Sequence, residues 1–251
     1  MAPETEKSSE TKNEAKPNAT KEKEEKWGFD LYPERRSVYE PSVTQKLWWG
    51  ENPLSQRLKC EKNVWNVINK SPVVKLLISA LTNSGCPFDI ERHIVCEVCD
   101  SSLLGGYDQA LNQIVVCQNV CQNEGRVQGA LAHELVHMFD YCRNNIDFTN
   151  IDHLACAEVK AANLTSCSFL TSLTLPKQSF FNIAKSHEEC VKTKAAWSVK
   201  YARNLSDEES RAAVEKVFPK CYNDLEPIGR KPRRNSYDYY KAYRERHLYG
   251  Y

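Results

Sequence analysis

Five consecutive residues, His133-Glu134-Leu135-Val136-His137, carry the clearest chemistry in the chain. On an α-helix, positions i and i+4 lie one above the other, so His133 and His137 can offer two imidazole nitrogens to one ion. Glu134 stands near enough to hydrogen-bond water at that ion without ligating it. Zinc held in this way brings the pKa of water towards neutrality, and a neighbouring carboxylate takes the proton as hydroxide attacks a peptide carbonyl. Glu134 can then return that proton to the departing amine. The bland alternative is a surface helix bearing two ordinary histidines.

Catalytic zinc usually keeps three protein ligands and an open fourth position. Asp140, Asp147, Asp152, His153 and Glu158 lie downstream as candidates. Glu158 is preferred as the third ligand. It lies 21 residues beyond His137, a spacing close to that of thermolysin-like enzymes, on a helix expected from about Asp152. Its neighbours Ala155, Ala157, Ala161 and Ala162 are small enough to let that helix pack closely. His153 is the rival. Five residues apart on one helix, His153 and Glu158 point about 140° apart, so both ligate only if His153 precedes the helix.

The elements that must position these residues follow from periodicity. Val127, Leu131, Leu135 and Met138 recur at helical spacing and predict a helix over about 125–142. Before it, the β-branched run Gln113–Cys117 reads as the best strand; by similarity to zincin folds, such a strand is expected to run beside the cleft and pair with an extended substrate. Residues 93–96 read as a second strand and Gly105-Gly106-Tyr107 as a turn. Ser71-Pro72 opens a buried helix over 73–81, which Gly85-Cys86-Pro87 ends. Beyond a polar loop over 144–150, a second helix runs from Asp152, its N-cap, to Asn163 or Thr165, and a third over about 179–200. Ser206-Asp207-Glu208-Glu209 is a capping box for a fourth, closed by Pro219.

With 251 residues, 41% of them hydrophobic, and a net charge of +1, the chain suits one globular domain and not an overall polyanion binder. No apolar run is long enough to cross a bilayer, and 73–81 is broken by Lys75 and Ser79. Residues 1–26 hold seven Glu and six Lys without an aromatic, too polar for a secretory signal and too acidic for a matrix presequence. The expected organisation is a disordered charged tail and linker over 1–45, a folded domain over 46–229, and a second tail over 230–251. That last stretch has seven Lys or Arg and six Tyr, and reads as a mobile segment able to touch anionic lipid or a partner. No specific nucleic-acid partner is expected.

Eleven cysteines, ten of them between Cys60 and Cys190, point to disulfides in an oxidising compartment. The odd count leaves at least one free thiol. Without a secretory signal, the mitochondrial intermembrane space fits best. A four-thiolate structural zinc site from Cys96, Cys99, Cys117 and Cys121 is the alternative to disulfides there. His187, near Cys190, could support an oxyanion, but a structural role is the plainer reading.

Residues 131–167 resemble the mitochondrial inner-membrane metalloprotease family that matures a subunit of the ATP synthase and assists assembly of its membrane sector; animal members are also described as Ku-binding. The resemblance rests on the His-Glu-x-x-His helix with Asp140, then Cys142-Arg143, Asn150, His153, Ala155-Cys156-Ala157-Glu158 and Ala161-Ala162-Asn163-Leu164. Cys60, Ser71-Pro72, Cys86, Cys96-x-x-Cys99, Gly105-Gly106-Tyr107, Cys117-Gln118-Asn119 and His187-x-x-Cys190-Val191 extend it to about 60–227. The chain departs from the family pattern at Lys160, where arginine is expected, and between Leu164 and Cys167, which is one residue short.

The resemblance implies a zincin-like α+β metalloprotease fold, a small sheet with its active-site helix and a helical C-terminal half. It implies one catalytic zinc on His133 and His137, with Glu134 as the catalytic residue. It also implies an ATP synthase membrane-sector subunit as substrate and client, and peripheral attachment to the inner membrane from the intermembrane space. The alternatives are a non-proteolytic assembly chaperone or a nuclear Ku-binding adaptor.

Overall fold

Helix α1 (Pro53–Lys70) opens the part of the chain that the computed structural model describes, residues 53–168, 183–232 and 235–251. The tail expected over 1–45 lies outside the described residues. Cys60, Val64, Val67 and Ile68 of α1 form one buried stripe at helical spacing. Helix α2 (Pro72–Asn83) starts with proline at its first position, as the sequence suggests, although the Ser71 hydroxyl caps nothing. Val73, Val74, Leu76, Leu77, Ala80 and Leu81 are buried, so this helix is enclosed on most sides.

A short helical turn, α3 (Ile90–His93), is capped by Asp89, whose side chain accepts from the Arg92 amide. It claims His93, so the first strand is β1 (Ile94–Glu97), one residue later than expected. Gly105-Gly106-Tyr107 is a strand, β2 (Gly105–Asp108), where a turn was expected. Gly105 is there for close approach: a Cβ on it would stand 2.6 Å from the Val115 carbonyl oxygen. Strand β3 (Gln113–Cys117) occupies the middle of the sheet, parallel to β1 and antiparallel to β2. It is therefore not the strand that borders the cleft, because both its edges are already paired. Among the described residues, the unpaired edge next to the active-site helix belongs to β2.

Helix α4 (Glu124–Arg143) carries the His-Glu-x-x-His run and is capped by Asn123. Helix α5 (Ile151–Ala161) is capped by Asn150, whose side chain accepts from the Asp152 and His153 amides. The expected cap, Asp152, already lies inside the helix, because the Asn150 side chain reaches the orphan amides first. A π turn (Ala162–Ser166) extends α5. Helix α6 (Ile183–Arg203) ends later than expected; its expected start, 179–182, lies outside the described residues. Helix α7 (Asp207–Cys221) has the expected capping box between Ser206 and Glu209, but continues past Pro219 for two residues.

Residues 235–245 form helix α8 (Asn235–Glu245), with a 3-10 turn after it (Arg246–Tyr249). Tyr239 and Ala242 enter the main core beside α2, which corrects the reading of this stretch as a mobile tail. One core gathers α1, α2, α4, α8 and the sheet; a second gathers α5, α6 and α7. This is a zincin-like α+β fold: a small mixed sheet, an active-site helix against it, and a helical C-terminal half. No helix among the described residues is long and apolar enough to cross a membrane.

Candidate metal centre

Helices α4 and α5 meet where their ligand candidates stand. His133 and His137 project one turn apart from α4, and Glu158 reaches them from two turns into α5. The His133 and His137 Nε2 atoms are 3.2 Å apart. Glu158 places Oε2 3.2 Å from His133 Nε2 and Oε1 3.4 Å from His137 Nε2. Atoms bound tetrahedrally to zinc at about 2.0–2.1 Å are about 3.3–3.4 Å from one another. The Glu158 carboxylate thus turns one oxygen to each imidazole, one donor atom from each of the three side chains lies within 4.8 Å of the others, and the donor set of two imidazoles and a carboxylate suits zinc. His137 and Glu158 are buried, and His133 is partly open to solvent, leaving one approach to the fourth position.

The other candidates do not join them. His153 sits in the first turn of α5, where its Nδ1 accepts from the Asp147 amide. Asp147 is bonded to Thr149, and Asp152 pairs with Lys216. Asp140 is buried in an ion pair with Lys160, Nζ to Oδ1 2.6 Å, and the same ammonium reaches Asp224 at 2.9 Å. This pair ties the helix bearing the histidines to the helix bearing Glu158. Lys160 stands where the family pattern led us to expect arginine, and it fills the place by serving two carboxylates.

Electrostatics divide the two buried glutamates. Burial pushes the Glu134 carboxyl up, against the pull of His133, His137 and a backbone hydrogen bond from Tyr107. Glu158 is held well below the usual carboxylate range: burial opposes this, but the two imidazoles outweigh it. In the metal-free site, burial lowers His137, yet the surrounding Glu158, Glu134 and Asp140 raise it to about 9.

The Tyr107 contact fixes how β2 meets the site. The Cys117 amide donates to the Leu104 carbonyl, making that the hydrogen-bonded pair. Alternation along an antiparallel ladder then turns the backbone groups of Gly105 and Tyr107 outwards, towards the cleft. Tyr107, Tyr141 and Phe148 form an aromatic wall beside His137, with Phe148 edge-on to the imidazole at 6.0 Å. Behind Tyr141 lies an apolar cavity of about 150 Å³, lined in part by Leu81, Pro87, Phe88 and Met138. Sequence reasoning missed this wall and the role of β2. The glycine pair was the available signal for the second.

Cysteine placement settles the second possible metal site. Cys96 is bonded to Cys60 and Cys99 to Cys117, so no four-thiolate site forms. Cys86–Cys142, Cys156–Cys221 and Cys167–Cys190 complete five disulfides, with Cys121 free and buried. His187 is buried away from the cluster, bonded to the Tyr222 hydroxyl at 2.8 Å and the Cys167 carbonyl at 3.1 Å, a structural placement.

Fold and site together define a metalloendopeptidase of the His-Glu-x-x-His type. The Peptidase M76 family model matches residues 58–229, and the chain belongs to that family. It is 39% identical over 228 residues to the mitochondrial inner membrane protease ATP23 homolog of Danio rerio, covering 90% of this chain and 87% of the relative. The Homo sapiens homolog is 41% identical over 184 residues, 72% of this chain and 74% of the relative. The Kluyveromyces lactis protein, mitochondrial inner membrane protease ATP23, is 33% identical over 219 residues, 81% of this chain and 84% of the relative. No solved structure matches the chain.

Proposed function

We propose that the chain is a zinc-dependent endopeptidase that processes the precursor of a mitochondrially encoded ATP synthase subunit and assists assembly of the membrane sector. In this reading His133, His137 and Glu158 hold the zinc and Glu134 is the catalytic residue. The observation that carries it is the convergence of His133, His137 and Glu158, each imidazole Nε2 within 3.4 Å of a Glu158 oxygen, with a buried carboxylate of raised proton affinity beside them. Zinc supplies Lewis acidity, polarising the scissile carbonyl and acidifying water. The chain supplies the rest. Glu134 accepts the proton of the attacking water and passes it to the leaving amine. The outward backbone groups of Gly105 and the Tyr107 carbonyl give an extended substrate segment a strand to pair with. The cavity behind Tyr141 suits an apolar side chain, as a membrane-sector substrate would offer.

The relatives are named as proteases of the mitochondrial inner membrane, and we carry that location to this chain, on the intermembrane-space side and peripheral to the membrane. Five disulfides favour that oxidising space over the reducing nucleus that the Ku-binding reading requires. The test is Glu134→Gln in cells lacking the native protein. Zinc content should persist and precursor cleavage should stop. If complex assembly continues, assembly is a separate activity of the same molecule. Cleavage at the normal rate would overturn the assignment of Glu134.

A further inference from the structure

His133 and His137 are held differently. His137 Nδ1 has no hydrogen-bond partner, whereas His133 Nδ1 lies 3.3 Å from the Ser166 hydroxyl. Ser166 closes the π turn that extends α5, a geometry made by the Cys167 amide bonding five residues back to the Ala162 carbonyl at 2.8 Å. Such turns are rare and recur at functional sites.

The hydroxyls around Ser166 have a readable direction. Thr165 Oγ1 donates its one proton to the Ala161 carbonyl at 2.7 Å. Thr165 Oγ1 can then only accept from Ser166 Oγ, 3.4 Å away. When Ser166 turns its proton towards Thr165, its Oγ lone pairs are left to accept an N–H from His133 Nδ1, the direction that a metal-binding Nε2 requires. A neutral imidazole with Nδ1 protonated carries its lone pair on Nε2, the atom that faces His137 and Glu158.

The turn is fastened on several sides. Tyr239 of α8 donates to the Leu164 carbonyl at 2.9 Å, Lys194 bonds the Ser166 carbonyl at 3.0 Å, and Cys167 is bridged to Cys190. We propose that Ser166 is a positioning residue that fixes the tautomer and ring orientation of His133, and that α8 supports it through Tyr239. This rests on the zinc reading above and gives the C-terminal helix a task in the site.

The experiment is a zinc titration of full-length, disulfide-intact protein against a competing chelator, with the melting temperature of the metal-free form measured alongside. Ser166→Ala should weaken zinc binding by about 10–100-fold, the usual effect of losing an outer partner of a metal-bound histidine, while the metal-free melting temperature stays put. Thr165→Val, which removes the proton that sets the direction, should weaken binding in the same sense but less. Tyr239→Phe should do so too. Wild-type affinity in Ser166→Ala would overturn the proposal, as would a loss of affinity matched by loss of metal-free stability. If the wild type itself takes up no zinc, the functional reading fails instead.

Discussion

Glu134 and Glu158 are both buried beside the same two imidazoles, yet their surroundings push them in opposite directions. Such a split fits the proposed roles: the carboxylate that stays ionised suits a cation, and the one that gains proton affinity suits proton transfer. Glu134→Gln should therefore lower cleavage by at least about 10²–10⁴-fold while zinc per chain is unchanged. Glu158→Gln should instead lose zinc, as read by metal analysis after dialysis. The raised His137 pKa, about 9 in the metal-free protein, sets a pH dependence. Below that value the metal-free site holds a proton that zinc must displace, so uptake at pH 7 should release one, and apparent affinity should fall as pH falls. Calorimetry in buffers of different ionisation enthalpy measures that proton. The two histidines and Glu134 were legible in the sequence because helical spacing alone brings i and i+4 together. Whether His153 could join Glu158 turned on where α5 begins, and capping by Asn150 puts His153 inside the helix, bonded to the Asp147 amide.

At the level of elements, the site depends on two joins. The first is the buried Lys160–Asp140 pair between α5 and α4. Lys160→Met leaves Asp140 buried without its partner and should destabilise the fold by about 3–5 kcal/mol, seen in denaturant melts. The second is the contact of β2 with β3. Gly105→Ala places a methyl against the Val115 carbonyl and should cost about 1–3 kcal/mol, with cleavage falling further because the substrate-facing edge shifts. Helices α2, α4 and α7 could be read from caps and periodic apolar residues. Strand β2 could not, since two glycines followed by a tyrosine carry no alternating pattern and read equally well as a turn. The π turn was also hidden, because its geometry is imposed by contacts from α6 and α8 that lie distant in sequence.

Across the whole molecule, disulfides lock together helices that already pack against one another. Cys156–Cys221 spans 65 residues and Cys86–Cys142 spans 56, the latter joining the end of α2 to the end of α4. Composition announced this chemistry, but pairing at such separations has no local signature. The unreduced, denatured protein should show one alkylatable thiol, Cys121, and eleven after reduction. Helix α8 was likewise hidden by its polar, tyrosine-rich composition. Its buried residues, Tyr239 and Ala242, are few, and their burial depends on α2 and the π turn.

The central claim is a single zinc on two imidazoles and a carboxylate. X-ray absorption at the zinc edge of purified full-length protein tests it most directly. The expected spectrum has only nitrogen and oxygen neighbours at about 2.0–2.1 Å, with the multiple scattering of two imidazole rings. A sulfur shell at about 2.3 Å, or protein that neither contains zinc nor takes it up, would contradict it.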